Sequence, residues 1–364
     1  MTSFAYGPIS GFGSIIVNGV RFDDSSSSIS SEDDDDSLTH RSSSDLKLGM
    51  VTAIQGGPIM SDGSGHHSRA RDIRFGSELV GPVVGTPDVA NKRFTLLGQT
   101  VQVGDRTIFD NSSMPALASI NDISAGDVLE VHGVFNATSN AYDATRIERK
   151  SGATRFKIRG AVAALTASTF KIGSELISYP AGLKLPNPFA EGQIVRVKLL
   201  PTKDAATGAW VATRIKSGVS SMGDHGEAEV KGTVTAFNSR SDFTVSGISV
   251  DASNATIYPA SLGKDAFVEV EGTMVNNKLI AKKVKLEDNR SSDSGDFEFH
   301  GRVTGLNTER TRFTVHGTTL AINDATAFIR GASRLTLTNN MCVEVRANAT
   351  MLATEVKLDN DCAP

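Results

Sequence analysis

The sequence predicts an all-β protein built from five tandem small β-barrel domains. Three observations carry this: a set of short phrases written five times, apolar/polar alternation within the phrases, and glycines at the turns between them. The fullest copy runs from Val230 to Leu286. It reads Val230-Lys231-Gly232-Thr233-Val234, Phe243-Thr244-Val245-Ser246-Gly247-Ile248-Ser249-Val250, Leu262-Gly263, Val268-Glu269-Val270-Glu271-Gly272 and Ala281-Lys282-Lys283-Val284-Lys285-Leu286. Alternation such as Phe243/Val245 or Val268/Val270 buries one face of a strand. Five or six such strands close into a barrel, which removes most exposed edges.

The first repeat opens with Gly11-Phe12-Gly13-Ser14 and Ile15-Ile16-Val17, turns at Asn18-Gly19 and resumes at Val20-Arg21-Phe22. Asn-Gly between two apolar runs predicts a hairpin, because both residues tolerate the positive φ of a type I′ turn. A run of serines and acids follows from Asp23 to Asp45, and its composition predicts a solvated loop. The opening glycines, Gly11, Gly81, Gly160, Gly232 and Gly301, recur at roughly 70 to 80 residues, the length of a whole small domain. Repeats are therefore expected at 1–76, 77–151, 152–218, 226–288 and 296–364, as beads on Ser/Gly/Asp-rich linkers at 217–226 and 288–296. The junctions near Gly76 and Ser151 are tighter, so neighbours there are expected to share an interface.

Two further glycine positions recur. Gly19, Gly98, Gly173, Gly247 and Gly317 are expected in hairpin turns. Gly49, Gly126, Gly192 and Gly263 precede a Val-x-Val strand; the fifth repeat has Asn340 there, the non-glycine residue most tolerant of positive φ.

The 364 residues carry 37 Lys+Arg against 41 Asp+Glu, a formal charge of -4, which gives no global field for a polyanion or an anionic membrane. Nucleic acid is not an expected partner, and no run approaches the roughly 20 apolar residues of a membrane-spanning helix. No signal-peptide pattern precedes Tyr6, so the chain reads either as cytoplasmic or as a mature exported part. The two cysteines, Cys342 and Cys362, both lie in the last repeat, where they are either a disulfide pinning the C-terminus or two unrelated thiols.

The phrases Gly-x-Val, Phe-x-Val-x-Gly, Leu-x-x-Gly-x-x-Val-x-Val-x-Gly and Ala-x-x-Val/Ile resemble tandem copies of the bacterial domain of unknown function 5666. The opening Gly7-Pro8-Ile9-Ser10-Gly11-Phe12-Gly13-Ser14-Ile15-Ile16-Val17-Asn18-Gly19-Val20-Arg21-Phe22 resembles the start of members that carry several copies behind a secretion or lipoprotein signal. The resemblance implies barrels of the oligonucleotide/oligosaccharide-binding type, located in periplasm, outer surface or medium. It brings no catalytic residues.

No stretch matches a phosphate-cradling loop, a Cys-x-x-Cys zinc pair, a His-Glu-x-x-His helix or a Gly-x-Ser-x-Gly elbow, so neither catalytic nor cofactor-binding residues are expected. Two weak metal candidates stand out. His66-His67 offers imidazoles, although adjacent residues of an extended loop point apart, and the acidic run with Asp33 and Asp35 offers oxygens for Ca²⁺ without the spacing of a known calcium loop. His132 and His300 lie on expected strands beside recurring glycines and read as structural. Arg69, Arg71 and Arg74, then Arg155, Lys157 and Arg159, then Arg310 and Arg312 lie near Phe75, Phe156 and Phe313, but each phenylalanine has a core explanation.

Repetition without catalytic residues points to a non-enzymatic, exported structural, adhesive or fibre-forming element of the cell envelope. In its fibre version, Ile9 to Phe22, with Ile15, Ile16 and Val17 at its centre, adds to a barrel edge of a neighbouring copy, giving self-association. The alternative is a protein that binds a carbohydrate or other ligand through barrel-end loops.

Overall fold

The computed structural model describes residues 2–32, 41–62, 65–110, 112, 115–136, 139–218, 224–245, 248–257, 261–264, 266–286, 297–359 and 362. Among these residues, regular structure is strand except for two single turns of 3-10 helix, Ser43–Asp45 and Ile120–Asp122.

The second repeat shows the common plan. Leu79–Asp88 opens it, Arg93–Leu96 and Gln99–Phe109 form one hairpin, and Val128–Asn136 and Ala141–Arg149 form another. The opening strand pairs antiparallel with Arg93–Leu96 on one edge and Val128–Asn136 on the other, while the third strand runs parallel to the fifth. The spatial order is thus first, second, third, fifth, fourth and back to the first, a closed barrel. Repeats one and four close through the same set of ladders. Repeats three and five close with single bridges, at Ala163–Lys171 and at Thr304–Thr314 with Ala321–Leu352. The inward positions are apolar, as alternation demands: Phe94, Leu96, Val101, Val131 and Ile147 in repeat two match Phe243, Val245, Val250, Val270 and Val284 in repeat four, all buried. Each contributes about 1.5–3 kcal/mol of burial.

One pair of backbone bonds sets the repeat register. The Val83 N–H donates to the Asp127 carbonyl and the Gly126 N–H donates to the Val83 carbonyl, both at 2.9 Å. Ile9 with Met50 and Gly49, Val162 with Gln193 and Gly192, and Val303 with Met341 and Asn340 do the same. Gly49, Gly126, Gly192 and Asn340 all have positive φ, so asparagine substitutes for glycine there as expected. Gly263 does not occupy this position. The Val234 N–H donates to the Ala266 carbonyl, which moves the equivalent place to residue 265, outside the described residues.

The same register corrects the opening glycine of repeat one, which is Gly7 rather than Gly11. A Cβ on Gly81 would lie 2.6 Å from the Leu97 side chain, one on Gly301 2.7 Å from His316, and one on Gly7 2.7 Å from Asn18. In these three repeats, then, the opening glycine clears the first residue of the hairpin turn. Asn18-Gly19, Leu97-Gly98 and His316-Gly317 both have positive φ, the I′ pattern, whereas at Gly173-Ser174 the glycine comes first. Gly247 lies outside the described residues.

The chain divides into two compact units: Met1–Phe75 with Gly223–Pro364, holding repeats one, four and five, and Gly76–Met222, holding repeats two and three. Inside a unit the repeats are not separate beads. In the first, Thr2–Phe12 is shared: Thr2, Ser3 and Phe4 pair in parallel with Ala228, Glu229 and Val230, and Gly11 and Phe12 pair in parallel with Glu298 and Phe299. In the second, Val80 pairs with Lys157, the Tyr142 hydroxyl donates to the Arg159 carbonyl at 2.8 Å, and both repeats line one continuous apolar cluster. The cause is common to both units. A strand that overruns its own barrel leaves backbone donors and acceptors that a neighbour's strand satisfies.

This arrangement also revises the strand-addition segment. Ile15, Ile16 and Val17 are buried and flanked on both edges by their own repeat, by Ile9 and Gly11 on one side and by Val20–Phe22 on the other. The strand that reaches other repeats is Thr2–Phe12. At the far end of the chain Cys342 and Cys362 are bonded, with Cα atoms 5.7 Å apart and a sequence separation of 20.

Two outcomes follow in urea unfolding. Gly11→Ala, whose Cβ would strike the Glu298 carbonyl, is expected to cost about 1–3 kcal/mol, whereas Gly126→Ala, in open space at positive φ, is expected to cost only about 1 kcal/mol. Reduction of the Cys342–Cys362 bond is expected to lower stability by ~3 kcal/mol, read as a shift in the unfolding midpoint with reductant.

Candidate functional site

The cluster of buried ionisable groups that offers the most chemistry lies in repeat five. In Phe297–Arg302, Phe297 and Phe299 point into the barrel, so alternation places Glu298 and His300 together on the opposite face. Sheet register then brings up their neighbours: His300 is opposite Glu344, Glu298 is opposite Arg346, and Glu344 is opposite Lys357. Asp359 follows the last strand, held by its N–H to the Cys342 carbonyl.

The imidazole of His300 is 5% exposed and bonded at both nitrogens. Nε2 meets Glu298 Oε1 at 2.5 Å, and Nδ1 meets Asp359 Oδ2 at 2.8 Å. Lys357 Nζ pairs with Glu344 Oε1. Burial works against the imidazolium, but the bond and charge of Glu298, reinforced by the Asp359 bond, outweigh both burial and the nearby Arg21, so the His300 pKa is raised. Glu298 shifts in the matching direction. Burial raises its pKa, yet His300 followed by the charges of Arg346 and Lys357 brings it below the usual carboxylate range. Such an arrangement can store a proton, and it gathers metal donors: one ligand atom each from Glu298, His300 and Glu344 lie within 4.8 Å of one another.

The same lattice is written in other charges elsewhere. Repeat four has Glu229, Lys231, Glu269 and Lys285 at these places, with Lys285 Nζ 2.6 Å from Glu269 and 3.0 Å from Glu271. In repeat two Lys150 bridges Glu130 at 2.7 Å and Glu148 at 3.4 Å. Repeat three is basic throughout: Arg159 faces Arg196, which faces Lys216, and Lys157 faces Lys198, which faces Arg214. Within that unit Arg159 is paired with Glu78 at 2.6 Å.

The metal candidates of the sequence fare differently. Asp33 and Asp35 lie outside the described residues. Before them, Asp23 accepts the Ser25 N–H in a local turn, and Asp24 accepts the hydroxyl of Ser43, 19 residues on in sequence. His66 and His67 belong to the strand Gly65–Phe75 rather than a loop; they face Val20 and Arg21 in the ladder and project to opposite sides. His66 Nδ1 is 2.7 Å from the Ser61 hydroxyl. His132 is buried with Nδ1 3.1 Å from the Gly76 carbonyl, a structural bond. Phe75, Phe156 and Phe313 are core residues, whereas Arg69, Arg71 and Arg74 are exposed.

The profile of the domain of unknown function (DUF5666) matches residues 80–148, 231–285 and 300–357, half of the chain. The chain belongs to that family, in repeated copies. No curated protein matches it.

His300 gives a pH dependence with a definite sign. Its pKa is raised on folding, so the stability it adds is complete below the ordinary histidine value of about 6.5 and is lost as pH rises through the higher folded value. Unfolding free energy measured from pH 5.5 to 9 is expected to fall across that window, and His300→Gln to flatten the fall. The ionisable groups around it are Glu298, Asp359, Glu344, Arg346, Lys357 and Arg21.

Proposed function

We infer that this chain is a non-enzymatic, exported structural protein of the cell envelope that assembles by sharing strands. One observation carries the reading: Thr2–Phe12 is antiparallel in its own barrel and adds in parallel to strands of repeats four and five, more than two hundred residues away in sequence. Backbone groups are the same in every copy, so a strand able to add to these barrels in its own chain can add to them in a second copy, building a fibre. The strand order of each barrel is that of the oligonucleotide/oligosaccharide-binding type, which supports assigning the barrels to it. Export is supported by the likeness of the opening phrase to exported multi-copy members, and the Cys342–Cys362 bond suits an oxidising compartment.

Light scattering with small-angle scattering over a wide concentration range tests the reading. Mass and length should grow together as concentration rises, and deletion of residues 2–12 should abolish the growth. A monomer at every concentration that binds a glycan saturably through one repeat would replace it with the ligand-binding alternative.

A further inference from the structure

We propose that Glu298, His300 and Glu344 form a binding site for one divalent transition-metal ion of the zinc class. The donor set is one imidazole nitrogen and two carboxylate oxygens, which suits a borderline cation better than a hard one. Their ligand atoms already lie within 4.8 Å of one another, each on a strand fixed by the barrel ladder, so little reorganisation is needed. The second observation is the orientation of the ring. Asp359 Oδ2 holds Nδ1 at 2.8 Å and thereby leaves Nε2 facing Glu298, the carboxylate–histidine arrangement that supports metal ligands.

Among the described residues no other cluster gathers three such ligand atoms. On binding, the proton on Nε2 leaves to solvent, Nδ1–H stays on Asp359, and the two carboxylates neutralise the ion. Lys357 competes for Glu344, since its ammonium occupies Oε1.

The test is calorimetric titration of the full chain with zinc chloride in a non-coordinating buffer, with cobalt absorption as a second readout. One saturable site is expected. His300→Ala and Glu344→Gln should each weaken it at least tenfold, Asp359→Asn by about tenfold, and Lys357→Met should tighten it several-fold. Thermal melts identify any variant that does not fold, and the near-isosteric Glu298→Gln then serves in its place, with the same tenfold loss expected. Absence of saturable binding, or binding unchanged by these substitutions and removed instead by His66→Ala, would overturn the proposal.

Discussion

Satisfaction of backbone hydrogen bonds along the opening strand is the constraint on which the rest of the structure depends. Each opening strand lies between the second and fourth strands of its barrel and therefore has both edges in use where the barrel closes. Beyond the barrel its ends must find other partners, and in the first unit they find them in repeats four and five. The cost of leaving such groups unpaired and buried, about 1–3 kcal/mol each, is enough to decide which repeats associate.

Much of this plan was legible in the sequence. Phe94/Leu96, Phe243/Val245 and Phe313/Val315 announce the inward face, and Asn18-Gly19 announces a hairpin, because periodicity and turn chemistry are local properties. The errors came where one short phrase was aligned on another without the ladder. Gly11 and Gly7 both fit a Gly-x-x phrase, and only the Ile9–Met50 bond shows that Gly7 is the equivalent of Gly81. Gly263 was two residues from the place it was expected to fill for the same reason.

Association between repeats was legible only in part. The short junction near Ser151 pointed to contact between neighbours, and repeats two and three do share a core. The joining of repeat one to repeats four and five could not be read, since parallel pairing across such a separation leaves no local mark. The cluster around His300 shows the same limit. His300 stands out alone, but Glu344 and Asp359 become its neighbours only through register and the chain's return past Cys342. The basic rows of repeat three were likewise half visible: Lys157 and Arg159 are adjacent to the eye, whereas Arg196, Lys198, Arg214 and Lys216 join them only across the sheet.

The sharing of the opening strand is tested most directly by amide hydrogen exchange on the intact chain. Slow exchange of the hydrogen-bonded amides in residues 2–12, lost together with the protection of 228–230 and 298–299 when denaturant is added, is the expected result. Exchange of residues 2–12 at the rate of a free peptide, while repeats four and five stay protected, would contradict it.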